Sequence, residues 1–336
     1  MNHSRPINDF TPIESLAMEG VVTQALLQSV RMGLFDALET THSPEALAAR
    51  LDLVPEALNA LLELLRSRGL TTRTSEGWAN TPMSSEFLVS DSPFFQGHAL
   101  NVHETFNQYV SANMDSLLRG QADARETADA TWASPETLEG MARHALLGSL
   151  QDTVAFASEL PGFADMRTMC DIGGNHGRYT MHLIDRNPSL RGTIADLPSV
   201  TPAVQTACNQ AGYGDRITTL ACDLRTDSLP NGAYDLILAS DILYGFEDNL
   251  VDILTMIRNS LVPGGWFVSH HYDPDSPGID QYKATLQLVT RLSGYATHFL
   301  SRDTLENALS RTGFSEFRAC STGSAGHGLA LAARAI

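Results

Sequence analysis

The chain has 336 residues, with 22 Lys and Arg against 39 Asp and Glu for a formal charge of −17, and 43% of its residues are hydrophobic. This is the balance of a folded chain long enough for two domains, which excludes a disordered or fibrous protein. No apolar run approaches the roughly 20 residues that a membrane span needs, and the negative charge makes nucleic acid a poor partner.

The opening segment MNHSRPINDFTPIES lacks the apolar core of a secretory signal, so the chain is expected in the cytoplasm. Apolar residues then recur at helical spacing from Gly20 to about Leu70, through Val21, Leu26, Leu27, Val30, Leu34, Phe35, Leu38, Leu47, Leu51, Leu58, Leu61, Leu62 and Leu65. Ser43-Pro44-Glu45 places a cap before a proline at the first helical position, and Gly69 stops the helix that ends at Arg68. The following LTTRTSEGWANT reads as two short strands around a Ser-Glu-Gly turn. Helices followed by such a pair make a winged-helix pattern over residues 1–100. Those residues carry six Arg, no Lys and twelve Asp or Glu, so DNA contact is a poor use of the module and packing against another subunit a better one.

Residues 101–162 continue as a helical linker, with Leu138, Met141, Ala145, Leu146, Val154 and Ala157 on one face. Ser134-Pro135-Glu136 reads as a helix start and Pro161-Gly162 as a stop. From 163 to 336 the period changes. Short apolar runs (MCDIGG, GTIADL, ITTLACDL, YDLILAS, GWFVSHH) alternate with amphipathic helices near Tyr179–Asp185, Val200–Ala211 and Asn249–Leu261, which predicts an α/β fold with a doubly wound parallel sheet. Cys170, Cys208, Cys222 and Cys320 show no CxxC spacing; they are expected reduced, without a metal. Lys283 is the chain's single lysine and lies outside any Gly-rich loop, which leaves Schiff-base and P-loop chemistry little to work with.

In an open parallel sheet, ligands bind beyond the carboxyl ends of the strands. The first strand ends in Asp171-Ile172-Gly173-Gly174-Asn175-His176-Gly177, and the second ends in Asp196, placed to accept from a ribose diol. That pair suits a dinucleotide or an adenosyl cofactor. Read as GxGxxG from Gly173, the later glycine positions hold Asn175 and Arg178, which disfavours the close pyrophosphate approach of a nicotinamide enzyme. A cofactor without phosphates needs only a tight turn, and Gly173, Gly174 and Gly177 can supply it.

The chain resembles the class I S-adenosylmethionine-dependent methyltransferases, and within them the dimeric caffeate and hydroxyneurosporene type of O-methyltransferase. The resemblance runs from about residue 15 to 333. It rests on the winged-helix segment, on DIGGNHG in place of DxGGGxG, and on ADLPSV, ACDL, LASDILYGFEDN and LVPGGWFV in that order. It implies a Rossmann-like sheet behind a helical winged-helix dimerisation domain, S-adenosyl-L-methionine as cofactor, a homodimer and a small-molecule acceptor. By position it implies that Asp171, Gly173, Gly174 and Gly177 line the methionyl part, Asp196 and Leu197 the ribose, Asp223 and Leu224 the adenine, and that Ser240 lies near the terminal groups. It also implies that residues near His98, His103, Phe106, Met141 and His144 face the acceptor; Met141 and His144, three apart, share a helix face.

The chain departs from the family at its base. Where a motif like LHDWDD supplies a His, Tyr244 stands here, followed by Gly245, and the buttressing acid of a motif like GKERT falls at Ala296. An ordinary tyrosine has a pKa of about 10 and is a poor base at neutral pH. Tyr244 and His298 are therefore the candidates for catalysis on an aromatic hydroxyl acceptor. His270, His271, His298 and Asp273 raise a metal as an alternative, but adjacent strand residues point to opposite faces, so no metal is assigned. A C-methyltransferase acting on a keto acid or planar ring, and a binding homologue that no longer methylates, are the competing functions.

Overall fold

A computed structural model describes residues 6–336, in two compact units, 6–101 and 102–336. In the first, α1 (Thr11–Arg31), α2 (Leu34–Ala37), α3 (Pro44–Leu51) and α4 (Pro55–Ser67) precede the antiparallel pair β1 (Thr71–Thr74) and β2 (Gly77–Asn80), and α5 (Pro82–Phe87) follows. Ser43 caps α3 as its spacing predicts, its hydroxyl accepting from the Ala46 amide at 3.2 Å. Gly69 follows α4 with φ +72°, the left-handed conformation that ends helices. Leu34, Phe35, Leu47, Leu58, Leu62 and Trp78 fill the core of this unit. The first helix begins nine residues before Gly20, the start of the apolar spacing, and its apolar side chains Ile13, Leu16, Met18 and Val21 are exposed.

Helix α6 (Gly97–Leu118) starts in the first unit and ends in the second, where α7 (Arg125–Trp132), α8 (Pro135–Ala145) and α9 (Ser149–Ser158) follow. Ser134 caps α8 by accepting from the Thr137 amide at 3.1 Å. Then come β3 (Thr168–Ile172), α10 (Arg178–Arg186), β4 (Arg191–Asp196), α11 (Thr201–Gln210), β5 (Ile217–Ala221), β6 (Tyr234–Ser240), α12 (Leu250–Ser260) and β7 (Leu261–Tyr272). The chain closes with α13 (Asp280–Leu292), α14 (Arg302–Arg311), β8 (Phe314–Thr322) and β9 (Gly328–Ala335).

The seven strands lie in the order β5-β4-β3-β6-β7-β9-β8. Strands β5, β4, β3, β6 and β7 are mutually parallel, while β9 runs antiparallel to both of its neighbours. The order reverses at β3, which places a crevice beyond the carboxyl ends of β3, β4 and β6. Strand residues are buried on both faces, as a parallel sheet covered by helices requires. Ile237 packs with Ile253, Leu254 and Leu309 on one side, and its neighbours Leu236 and Leu238 pack with Val154, Leu183 and Val204 on the other. The antiparallel edge formed by β8 and β9 was not read from the sequence, since its segments FSEFRACST and GLALAARA follow the alternating βα pattern without a helix between them.

The exposed apolar residues of α1 are open to a second copy of the chain. Replacing both Leu16 and Val21 by Glu is expected to convert a dimer into a monomer in light scattering without changing the far-ultraviolet circular dichroism.

Candidate active site

Strand β3 runs into the turn Gly173–Gly177 and then into α10. Three residues of the turn have left-handed backbones, Gly173 (φ +66°), Asn175 (φ +37°) and Gly177 (φ +71°), and Asn tolerates that region better than other side chains. Gly174 is needed for space: a Cβ there would lie 2.7 Å from Asp171 Cγ. On Gly173 a Cβ would lie 2.1 Å from Ile242 Cδ1, so the turn packs directly on the segment that carries Tyr244. Asp171 is buried; Thr180 donates to its Oδ2 at 2.8 Å, Oδ1 has no partner, and burial pushes its pKa up to about 7 against the Thr180 bond.

Asp196, at the end of β4, closes the turn by accepting from the Asn175 amide at 2.8 Å and the Leu197 amide at 2.7 Å. Burial raises its pKa, and those two amides hold it down. Beyond β5, Asp223 is gripped by a residue that the sequence reading did not single out. Arg225 donates to its Oδ1 and Oδ2 at 2.7 Å each and to Asp129 Oδ2 at 2.8 Å, which keeps the Asp223 carboxyl below its ordinary pKa. Leu224 is buried beside it, and Ser240 Oγ lies 3.0 Å from His270 Nδ1. His176 stacks on Tyr179 at 5.9 Å and accepts from the Arg178 amide at 3.2 Å, so its Nδ1 serves the start of α10.

A wall of aromatic rings adjoins the turn. Tyr244 and His298 stack at 4.6 Å and 24°, Tyr295 meets Tyr244 edge-on at 5.9 Å, and Tyr272 and Phe299 approach His298 at 5.6 and 5.4 Å. Thr290 Oγ1 lies 2.9 Å from His298 Nδ1, and the Gln287 side chain accepts from the His298 amide at 2.9 Å; among the described residues no hydrogen bond engages Nε2. Burial lowers the His298 pKa to about 4 and pushes the Tyr244 hydroxyl up, so both are neutral at pH 7. Two contacts tie wall to turn: Trp132 Nε1 donates to the Tyr295 hydroxyl at 2.5 Å, and the Trp132 carbonyl accepts from Asn175 Nδ2 at 3.4 Å. The Arg125 guanidinium caps the outer face of the Tyr295 ring at 4.1 Å.

From the linker helices, His103 on α6 and His144 on α8 meet edge-on at 6.3 Å, and Met141, half-buried, lies one turn before His144. Desolvation, and then the charge of His144, lower His103 to about 4; burial lowers His144 as well. Phe106 packs on Trp132 at 5.1 Å. His98 belongs to the first unit, edge-on to Phe95 at 5.8 Å.

The paired histidines of β7 point to opposite faces, as strand geometry requires. His270 is pinned at both nitrogens, Nε2 lying 3.0 Å from Thr322 Oγ1 and Nδ1 3.3 Å from Asp241 Oδ2 as well as against Ser240. His271 is buried with neither ring nitrogen hydrogen-bonded, and burial lowers it to about 4. Among the described residues no three His, Cys, Asp or Glu converge as a metal site. The sequence reading also missed Asp241, which has φ +51° directly after β6; its only sequence signal is a carboxylate at a strand's carboxyl end. Lys283, the lone lysine, donates from Nζ to the carbonyls of Pro274 and Ser276, fastening the turn after β7 to α13.

Residues 136–271 match the family model of an O-methyltransferase domain and residues 15–90 that of an O-methyltransferase dimerisation domain, together well over half of the chain. The chain belongs to this O-methyltransferase family. It is a methyltransferase. Among its relatives are the 3-hydroxy-5-methyl-1-naphthoate 3-O-methyltransferase of Streptomyces sahachiroi, 28% identical over 72% of this chain and 71% of that one, and the tetracenomycin polyketide synthesis 8-O-methyl transferase TcmO of Streptomyces glaucescens, 26% identical over 84% and 83%. The methyltransferase shares its fold with human N-acetylserotonin methyltransferase, solved in complex with SAM: TM-score 0.75, 20% identity, covering 100% of this chain and 99% of that one.

The crevice fits such a cofactor. Its turn has no room for a Cβ at Gly173 or Gly174, Asp171 keeps an unpartnered oxygen, and Asp196 retains lone pairs beyond the two amides. Gly174→Ala is expected to weaken S-adenosylhomocysteine binding at least tenfold by calorimetry, because the new Cβ displaces Asp171. A second outcome concerns acid. His271 folds with a pKa of about 4 against about 6.5 unfolded, so its contribution is complete above pH 6.5 and is lost as pH falls toward 4, about 3 kcal/mol in all. His271→Leu is expected to lessen the loss of denaturant stability between pH 7 and 5 without abolishing it, since His103, His144, His176 and His298 are lowered by burial too; an unchanged slope would show that His271 carries none of it.

Proposed function

We propose that this methyltransferase transfers the methyl group to a hydroxyl on a planar aromatic small molecule, with residues 1–100 pairing two copies into a homodimer, 101–162 lending walls to the acceptor pocket, and 163–336 holding the cofactor. The observation that carries the reading is the stacked Tyr244–His298 pair set against the glycine turn, whose aromatic faces suit a flat acceptor. The names of the naphthoate and tetracenomycin relatives point the same way. Gly173, Gly174, Gly177 and Asp171 line the methionyl part of the cofactor, Asp196 with Leu197 the ribose, Asp223 with Leu224 the adenine, and Ser240 the terminal groups. The bound cofactor supplies a methyl group on a sulfonium that is already a good leaving group.

What remains for the protein is position and the proton. Tyr244 and His298 flank the acceptor ring, with His103, Met141 and His144 as further walls. Thr290 fixes the His298 ring, and Nε2 accepts the hydrogen bond of the reacting hydroxyl. Neutral His298 has a pKa of about 4, too low to drive a phenol of pKa about 10 far toward its anion, so the acceptor's own acidity sets the rate.

Purified protein incubated with labelled S-adenosylmethionine and two phenols of different acidity tests this reading. The kcat/KM profile is expected to rise to the pKa of each phenol, with no shared inflection near 6.5. A common inflection there would assign the proton to a titrating imidazole. His298→Gln is expected to lower kcat about 10- to 100-fold and Tyr244→Phe less than tenfold, since the ring stack survives the second change but not the first. No transfer to any phenol, despite binding of S-adenosylhomocysteine, would overturn the reading.

A further inference from the structure

Beside the aromatic wall, beyond the carboxyl ends of β6, β7 and the β8–β9 turn, lies a cavity of about 150 Å³. His144 and Tyr272 belong both to its lining and to the ring clusters described above, so it adjoins the aromatic wall. Asp241 is its only carboxylate, and no Lys or Arg lines it. The Asp241 backbone is left-handed at φ +51°, a conformation that costs free energy in a non-glycine residue and concentrates at functional sites. Its Oδ2 lies 3.3 Å from His270 Nδ1, but that nitrogen also faces Ser240, and Oδ1 is buried with no partner at all. His327 Nδ1, in the same lining, is likewise buried and unpartnered.

The charge around Asp241 is one-sided. The imidazoles that face it, His144, His176, His271 and His298, are all lowered by burial and stay neutral at pH 7. Burial works to raise the Asp241 carboxyl, and the charge and hydrogen bond of His270 lead the interactions that bring it below its ordinary pKa. The surrounding hydroxyls of Tyr179, Tyr244 and Tyr272 are pushed up and stay protonated. A carboxylate lining a cavity that holds no Lys or Arg, with His270 as its one basic neighbour, is complementary to a cation that brings its own N–H donors.

We infer that Asp241 and His327 receive the protonated amine of the acceptor, so that the acceptor class is a hydroxylated aromatic ring bearing a short aminoalkyl chain. The Asp241 carboxylate accepts from the ammonium, with the His327 and Tyr272 rings on the same cavity wall. A cavity of about 150 Å³ has room for about five water-sized groups, which suits an amine on two or three carbons. Asp241 is then a specificity-determining residue that positions the ring against Tyr244 and His298 without touching the transferred methyl group. The inference rests on the aromatic-hydroxyl reading above.

The test is calorimetry on the full-length protein saturated with S-adenosylhomocysteine at pH 7, with tyramine and 4-ethylphenol as probes; the two differ by the amine alone. The wild type is expected to bind tyramine at least tenfold more tightly. Asp241→Asn, nearly the same in shape, is expected to abolish that preference while binding S-adenosylhomocysteine as the wild type does. That second measurement shows the variant folded. Equal binding of the two phenols by the wild type, or binding of neither, would overturn the inference, and the wild-type comparison needs no variant to do so. A loss of S-adenosylhomocysteine affinity in Asp241→Asn would overturn it differently, by handing the carboxylate to the cofactor's own amine. Failure of the wild type to bind S-adenosylhomocysteine would instead bring down the assignment of the crevice, so the two failures are distinguishable.

Discussion

The Asp196 carboxylate holds the end of β4 to the turn after β3, accepting from Asn175 on one side and Leu197 on the other. Without that bridge the left-handed backbone of Asn175 would have no compensation, and the turn would lose the close packing on Ile242 that sets the position of the Tyr244 segment. The glycine turn and the aromatic wall are thus one construction. A side chain on β4 fixes a loop after β3, and that loop is in van der Waals contact with the chain leaving β6.

Desolvation dominates the rest of the site. Most of its titratable groups are shifted toward their neutral forms: His103, His144, His176, His271 and His298 downward, Tyr179, Tyr244 and Tyr272 upward, Asp171 upward. Such a chamber is a weak acid–base catalyst and a good place to orient and dehydrate a reacting pair. Loss of the His–acid pair at Tyr244 and Ala296 fits that picture. Asp241 and Asp223 stand apart because each has a basic partner, His270 for the first and Arg225 for the second.

The parallel part of the sheet was legible because its strands are short apolar runs punctuated by caps and glycines, and Ser43, Ser134 and Gly69 act in the structure as their spacing predicts. The antiparallel edge was not, because β8 alternates polar and apolar residues while β9 is rich in alanine, and neither resembles the earlier strands. Positions in the crevice could be placed by motif, but their partners could not. Arg225 on Asp129, Trp132 between Asn175 and Tyr295, and Asp241 on His270 are joined across long stretches of sequence or by backbone angles that a one-dimensional pattern does not encode.

The place of Trp132 has an optical corollary. Of the three tryptophans, Trp78 and Trp266 are wholly buried in the two cores, so their emission is insulated from events in the crevice. Trp132 is half-buried, with its indole on the Tyr295 hydroxyl and its carbonyl on Asn175. The enzyme therefore carries an intrinsic fluorophore between the glycine turn and the aromatic wall, and its quenching or blue shift would follow any ligand that settles against either one in real time without a label.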